Sequence, residues 1–341
     1  MKTQIFHPTS LETSRLGFGC IQLTAQRSRR EALSVLEQVF SLGITHFDVA
    51  RAYGFGRTEG ILGEFLRDKR HEVTVATKFG IQPPPGLAGN IRLINVLKTV
   101  LRPFPGLMRR AKNRGAAMVK GGIFTPDAAV RSLEASLREL RTDYVDIFLL
   151  HEATITDANS IALVERLLGE VKKGKIRHLG LGSKFEKLRE ETRLLPVAYE
   201  VLQFNDNAVD RSTTKLHGHD RRLLITHSVF ASMRLLLQGI EAHPQLAREH
   251  SLRVGADLLN PSVMGSLVLR FALWSNANGI VLFSSKDPQH IAANVREVEA
   301  KPVDAAQMRR FVEFVDQLLA APSSNPDGSD LHGTGLRSGS A

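Results

Sequence analysis

The stretch ITHFDVARAYG at residues 44–54 begins as an apolar, β-branched and aromatic run and breaks into polar residues at Asp48 and Tyr53. VTVATKFG at 73–80 and YVDIFLLHE at 144–152 are built the same way and reach Lys78 and His151. Short apolar runs of this kind, closed by polar residues, read as parallel strands buried on both faces. Working outward, strand candidates fall at 15–20, 44–48, 72–78, 143–150, 176–181, 199–204, 223–227 and 279–283. Helix candidates lie between them at 28–42, 58–69, 126–140, 160–174, 184–194, 258–276 and 287–299, with a weaker one at 211–221. Strand–helix units repeated in this order predict an α/β protein, a closed (β/α)8 TIM barrel in preference to an open doubly wound sheet. Residues just after each strand share one face of such a barrel, so Asp48, Tyr53, Lys78 and His151 are expected to converge.

Local signals support the helices. Ser28 with Glu31 three residues on forms a capping box ahead of the run ending at Gly43. Thr125 followed by Pro126, and Asp287 followed by Pro288, place proline at the first helical position, where its missing N–H costs nothing.

Hydrophobic residues make up 43% of the 341 and charged residues 23%, which excludes a chain disordered throughout. Residues 1–321 are read as one barrel domain and 322–341, rich in Gly and Ser, as a flexible tail. A net charge of +10 favours anionic partners in general without choosing among phosphorylated cofactors, nucleic acid or lipid head groups. No aromatic interleaving or recognised module accompanies the charge, so nucleic acid is not an expected partner. No run of apolar residues is long enough to span a bilayer and the N-terminus has no signal-like apolar core, which makes the cytoplasm the expected compartment. The single cysteine, Cys20, excludes an intrachain disulfide and a C-x-x-C site, and reads as a buried small hydrophobe.

Residues 82–124 interrupt the alternation with a long insertion after the third strand, basic at Lys98, Arg102, Arg109, Arg110, Lys112, Arg114 and Lys120. It reads as a docked helical flap, a lid, an anion-steering surface or an interfacial helix. Membrane contact is not the favoured reading.

The four opening residues fit one chemistry. A tyrosine is a poor proton donor at neutral pH unless its phenolate is stabilised, and a neighbouring ammonium does this. Lys78 supplies the ammonium, Asp48 holds it charged, and His151 orients a carbonyl oxygen or relays the proton. Singly, each residue reads as well as a cap, a half-buried phenol, a snorkelling amine or a satisfied imidazole. A barrel aldolase with Lys78 as Schiff-base nucleophile is a further reading.

FDVARAYG, ATKFG and LLHE resemble the F-D-T-A-x-x-Y-G, A-T-K and L-L-H segments of the aldo-keto reductases, and RTEGILGEFL and KIRHLGLGSKF are similar to two further segments of that family. The resemblance runs from about Arg15 to Asn294 apart from the insertion. It implies a nicotinamide-dependent oxidoreductase on a (β/α)8 barrel, interconverting a carbonyl (aldehyde, ketone or sugar) and its alcohol, with no metal. Tyr53 is then the general acid, Lys78 and Asp48 lower its pKa, and His151 orients substrate. Cofactor contacts are implied at Gly19, Cys20, Ile21, Asp48, Ser183, Lys184, Gln203, His227, Ser228, Ser284, Ser285, Lys286, His290 and Asn294. Within that set Ser183 and Gln203 match the grip on the nicotinamide carboxamide, and His227 stands where a stacking tyrosine is usual. Ser284, Ser285 and Lys286 match the 2′-phosphate segment, which favours NADP (NADPH) over NAD. Lys184 replaces an asparagine, and His290 and Ala293 also depart from the usual residues. The alternative is an accessory or sensor protein that binds cofactor on the same barrel with little turnover. Substrate walls are expected from Ile21, Phe55, Phe79, Glu152, Phe230 and the insertion. A closed barrel has no free sheet edge, so a monomer is expected.

Overall fold

The computed structural model describes residues 1–26, 28–82, 122–189, 192–216, 221–300 and 302–322. A short antiparallel hairpin, β1 (Thr3–Phe6) and β2 (Leu11–Ser14), pairs Thr3 with Ser14 and Phe6 with Leu11. Eight parallel strands follow: β3 (Leu16–Gly19), β4 (His46–Asp48), β5 (Thr74–Phe79), β6 (Val145–His151), β7 (Ile176–Gly182), β8 (Tyr199–Asn205), β9 (Leu223–His227) and β10 (Ile280–Phe283). They pair in sequence order, and β10 closes on β3 through Val281 with Leu16 and Phe283 with Phe18. The barrel expected from the pattern is the fold observed.

Side chains alternate across each strand with a period of two, and this places the site. Val75, Phe79, Phe148, Leu150, Leu202 and Phe204 belong to the large core between sheet and helices. Ala76, Ile147, Leu149, Val201, Leu223, Ile225, Ile280 and Leu282 form a second cluster inside the barrel, joined by Phe6 and Leu11 of the hairpin. Phe6 and Leu11 thus plug the end of the barrel opposite the strands' C-termini. Gly17 makes room in this interior: a Cβ there would lie 2.5 Å from Leu282 and 2.7 Å from His46. Counting up the inward faces, the residues beyond the apolar layers are Asp48 on β4, Lys78 on β5, His151 on β6, Gln203 on β8 and His227 on β9.

The hydroxyl caps stand where they were expected. Ser28 Oγ accepts from the Glu31 N–H at 3.1 Å ahead of the helix Arg29–Ser41, and Gly43 leaves it at φ +81°. Thr125 Oγ1 accepts from the Ala128 N–H at 3.3 Å, and Pro126 opens the helix Pro126–Leu140. The helices Thr58–Phe65, Ile161–Lys172, Pro261–Ser275 and Pro288–Ala300 stand close to their expected positions.

Some elements differ. The helix expected at 184–194 is one turn, Phe185–Leu188, because only those two apolar residues reach the core and Leu194 is exposed. The weak candidate at 211–221 is likewise one turn, Ser212–Lys215, and 217–220 lie outside the described residues. Three helices stand where the strand–helix alternation placed none: Met233–Ala242, Pro244–Val254 and Ala305–Ala320. The last carried a readable signal, with Met308, Phe311, Phe314, Val315 and Leu318 at helical spacing behind an Asp304 cap. The expected insertion lies outside the described residues except at its ends, where Ile123 N–H donates to Gly80 O at 3.1 Å. The expected tail lies outside them beyond Pro322. Among the described residues no helix is long and apolar enough to cross a membrane.

Candidate active site

A cavity of about 470 Å³ opens at the C-terminal end of the barrel, lined among others by Gly19, Ile21, Asp48, Tyr53, Lys78, His151, Glu152, Ser183, Gln203, His227 and Ser228. At its floor Lys78 Nζ donates to Asp48 Oδ1 at 2.6 Å, to Tyr53 OH at 3.3 Å and to Val49 O at 3.3 Å. The ammonium therefore has three oxygens around it, and both members of the ion pair are almost fully buried. Gln203 Nε2 donates to Asp48 Oδ2 at 2.7 Å. That second bond was not legible in the sequence, where Gln203 reads only as a cofactor ligand; a carboxylate can only accept, so it turns the amide nitrogen toward itself.

Electrostatics divide the roles. Burial pulls the Lys78 ammonium down, but Asp48 and Tyr53 overcome it and its pKa ends above the ordinary lysine value. Burial pushes the Tyr53 phenol up; Lys78 opposes this, Asp48 adds to it, and the balance is upward. Of the two residues expected to depress Tyr53, Lys78 acts in that direction and Asp48 against it, with burial the largest influence. His151 is held neutral, at about 3, by burial and by the Lys78 charge. Its Nδ1 is buried with no hydrogen-bond partner among the described residues, and its ring meets Tyr53 edge to face at 6.2 Å. His227 is lowered by the same two causes and shares a 2.8 Å hydrogen bond with Ser228 Oγ.

The Tyr53 loop is anchored from behind. Glu59, fully buried, accepts from Arg51 Nη1 and from Thr77 Oγ1, each at 2.7 Å, so it ties the loop after β4 to β5. Glu59 stands in a segment quoted for the family resemblance, yet nothing in its spacing names Arg51 or Thr77 as partners.

A second cavity, about 420 Å³, shares Phe230 and Ser284 with the first and is lined also by Ser262, Ser266, Ser285, His290, Asn294 and Glu297. Two connected clefts, one ending at the buried polar cluster, fit a long ligand with two ends. Ser284 Oγ donates to Gly19 O, which joins β10 to β3 at the junction. Other expected contacts stand apart. Cys20 is fully buried and lines neither cavity, its thiol pushed well up by burial. Lys184 and Lys286 are exposed and line neither, and the Lys286 carbonyl accepts from Gln26 Nε2 at 3.1 Å. Ser183 lines the first cavity, but its hydroxyl donates to Ala153 O at 3.4 Å. Phe79 is no wall: it is buried, stacked on Phe148 at 5.1 Å and edge-on to Phe124 at 5.7 Å. The Phe55 side chain lies outside the described residues.

The family model described as the aldo/keto reductase family matches residues 15–316. The chain belongs to that family. The uncharacterized oxidoreductase YqkF of Bacillus subtilis is 28% identical over 185 residues, 54% of this chain and 49% of the relative. The Schizosaccharomyces pombe aldo-keto reductase yakc, whose name carries NADP(+), is 26% identical over 200 residues, 56% of this chain and 48% of the relative. The chain spans about half the length of the curated relatives it matches. Among solved structures, the holo form of an aldo-keto reductase from Bacillus halodurans superposes with a TM-score of 0.69 at 22% identity, over 92% of this chain and 96% of that one. That likeness is one of fold, and aldo-keto reductase membership rests on the family model.

Proposed function

We propose that the protein interconverts a carbonyl and its alcohol by hydride transfer, with NADP as cofactor in preference to NAD and Tyr53 as the group that gives or takes the oxygen's proton. One observation carries the reading: Lys78 Nζ bridges Asp48 Oδ1 and Tyr53 OH on the wall of a cavity deep enough to hold a small substrate. Tyr53, with its pKa raised, is a phenol at rest and has a proton to donate. The phenolate left behind would lie 3.3 Å from the Lys78 ammonium, which Asp48 holds charged. His151, neutral and low in basicity, cannot supply the proton at neutral pH, which leaves it to orient the carbonyl oxygen by a hydrogen bond. A lysine held protonated is a poor Schiff-base nucleophile, which disfavours the aldolase reading.

The residues present fit a dinucleotide. His227, Ser228, Ser183 and Gln203 line the cleft that would take the nicotinamide, and the Gln203 amide oxygen is left as an acceptor for a carboxamide. Ser284, Ser285, His290 and Asn294 line the adjoining cleft. Lys286, beside those serines in sequence, and the name of the S. pombe relative favour NADP. When bound, the cofactor supplies or accepts the hydride.

Fluorescence titration with NADPH and NADH, followed by nucleotide absorbance with a panel of aldehydes, ketones and sugars, tests the proposal. Binding of NADPH with turnover of at least one carbonyl is expected. Tight binding without turnover would favour a sensor, and failure to bind either nucleotide would end the reading.

A further inference from the structure

The rim of the first cavity carries a fixed charge that the proton transfer does not use. Glu152 follows His151 directly and leaves β6 in the left-handed region, at φ +61°, a conformation costly for a residue with a side chain. Its N–H donates to Gly182 O at 2.7 Å, so the turn is pinned to β7. The device recurs at Ser228, φ +66°, directly after His227. Both histidine-ended strands therefore turn through a left-handed residue that lines the cavity.

The charges on the wall do not cancel. Among the described lining residues the ionisable groups are Asp48, Tyr53, Lys78, His151, Glu152 and His227. Asp48 and Lys78 neutralise each other at 2.6 Å. Tyr53 stays a phenol, and both histidines stay neutral through burial and the Lys78 field. Glu152 is left, and its charge reaches the His227 ring. Its counter-ion comes from outside: Lys187 Nζ meets Glu152 Oε2 at 2.8 Å, but the lysine side chain is 45% exposed and does not line the cavity. Pairs this wet are weak and readily exchanged.

We propose that the site selects carbonyl substrates that also carry a positive charge, an ammonium or a ring-nitrogen cation, and that Glu152 is the residue that reads it. The proposal rests on the hydride chemistry proposed above. An incoming cation would take the inner side of the carboxylate while Lys187 turns to water, whereas an anion would meet Glu152 with nothing on the described wall to balance it. The net charge of +10 opposes cations only at long range, where salt screens it beyond about 8 Å.

The test compares three aldehydes of similar size under NADPH: N-methyl-para-formylpyridinium, para-nitrobenzaldehyde and para-carboxybenzaldehyde. Each rate constant kcat/KM is divided by the same aldehyde's rate of reduction by borohydride and then normalised to the neutral aldehyde for the same variant. The native protein should favour the cation over the anion by roughly three- to tenfold. Glu152→Gln should collapse the ratio toward one, and Lys187→Ala, which frees the carboxylate, should widen it. An anion preference, or a ratio untouched by Glu152→Gln, would overturn the proposal, as would an equal loss on all three substrates, which marks a rim that merely lost its shape. Should the native protein turn over neither these three nor any carbonyl of the wider panel, the hydride chemistry falls, and calorimetric binding of the same three aldehydes then decides the charge preference by the same ratios.

Discussion

Replacing Asp48 by asparagine keeps the volume and removes the charge from a group that is 3% exposed and bonded to two partners. Lys78, 2% exposed, would keep Val49 O and Tyr53 OH, both at 3.3 Å, and a neutral amide oxygen in place of the carboxylate around a buried ammonium. Removing one partner of a buried pair costs about 3–5 kcal/mol, because the other charge is left uncompensated. The asparagine oxygen still accepts one hydrogen bond, which puts Asp48→Asn near the lower end, about 3 kcal/mol. The second substitution is diagnostic. Lys78→Met added to Asp48→Asn removes the orphaned charge, and replacing a buried pair by apolar bulk is often nearly neutral. The double variant should therefore recover at least half of the loss in urea unfolding followed by circular dichroism, while remaining inactive. The single variant's deficit should also shrink at alkaline pH. With Asp48 gone, burial sets the Lys78 pKa below its ordinary value, and stability is then lost as pH falls and regained as the amine deprotonates. A single-variant loss below about 1 kcal/mol, or a double variant less stable than the single, would refute the electrostatic account of the floor.

Tyr53→Phe should leave nucleotide affinity nearly intact and lower turnover by about a hundred- to ten-thousand-fold in single-turnover kinetics; retained activity would mean the proton comes from elsewhere. Lys286→Ala should weaken NADPH by about ten- to a hundredfold more than NADH in fluorescence titrations, and equal weakening would remove the 2′-phosphate assignment. His46, fully buried with Nδ1 2.8 Å from Thr74 Oγ1, is lowered from 6.5 to about 4, chiefly by burial. The unfolded chain binds its proton first, so stability falls as pH drops from 6.5 through about 4, by up to about 3 kcal/mol, and His46→Asn should flatten that part of the urea-midpoint profile.

The barrel was legible because period and placement agree: each strand run is apolar on both faces, and the polar residues fall just where the apolar layers end. Asp48, Tyr53, Lys78 and His151 come together for that reason, each needing only its own strand to be read correctly. What escaped depends on partners far away in sequence. Gln203 reaches Asp48 across 155 residues, and an amide in VLQFN gives no sign of which carboxylate it will meet. The Arg51–Glu59–Thr77 anchor is hidden in the same way. The hairpin at 3–14 offered only Ile5, Phe6 and Leu11 as large apolar residues, too few for a pattern, and Ile5 faces solvent while the other two fill a hole made by other strands. The helices at 233–254 were obscured by the His243–Pro244 step that divides them, and the exposed Leu235 and Leu252 blur their apolar face.

The plug formed by Phe6 and Leu11, with the apolar layers above it, has a consequence for hydrogen traffic. The apolar layer of Ala76, Ile147, Leu149, Val201 and Ile225 separates the hairpin end from the Lys78–Asp48 pair, whose described opening to solvent is the cavity at the strands' C-terminal end. If Tyr53 is the donor proposed above, substrate and nucleotide filling that mouth would leave the phenol only its own hydrogen to give, and the site would have to reopen before Tyr53 is recharged.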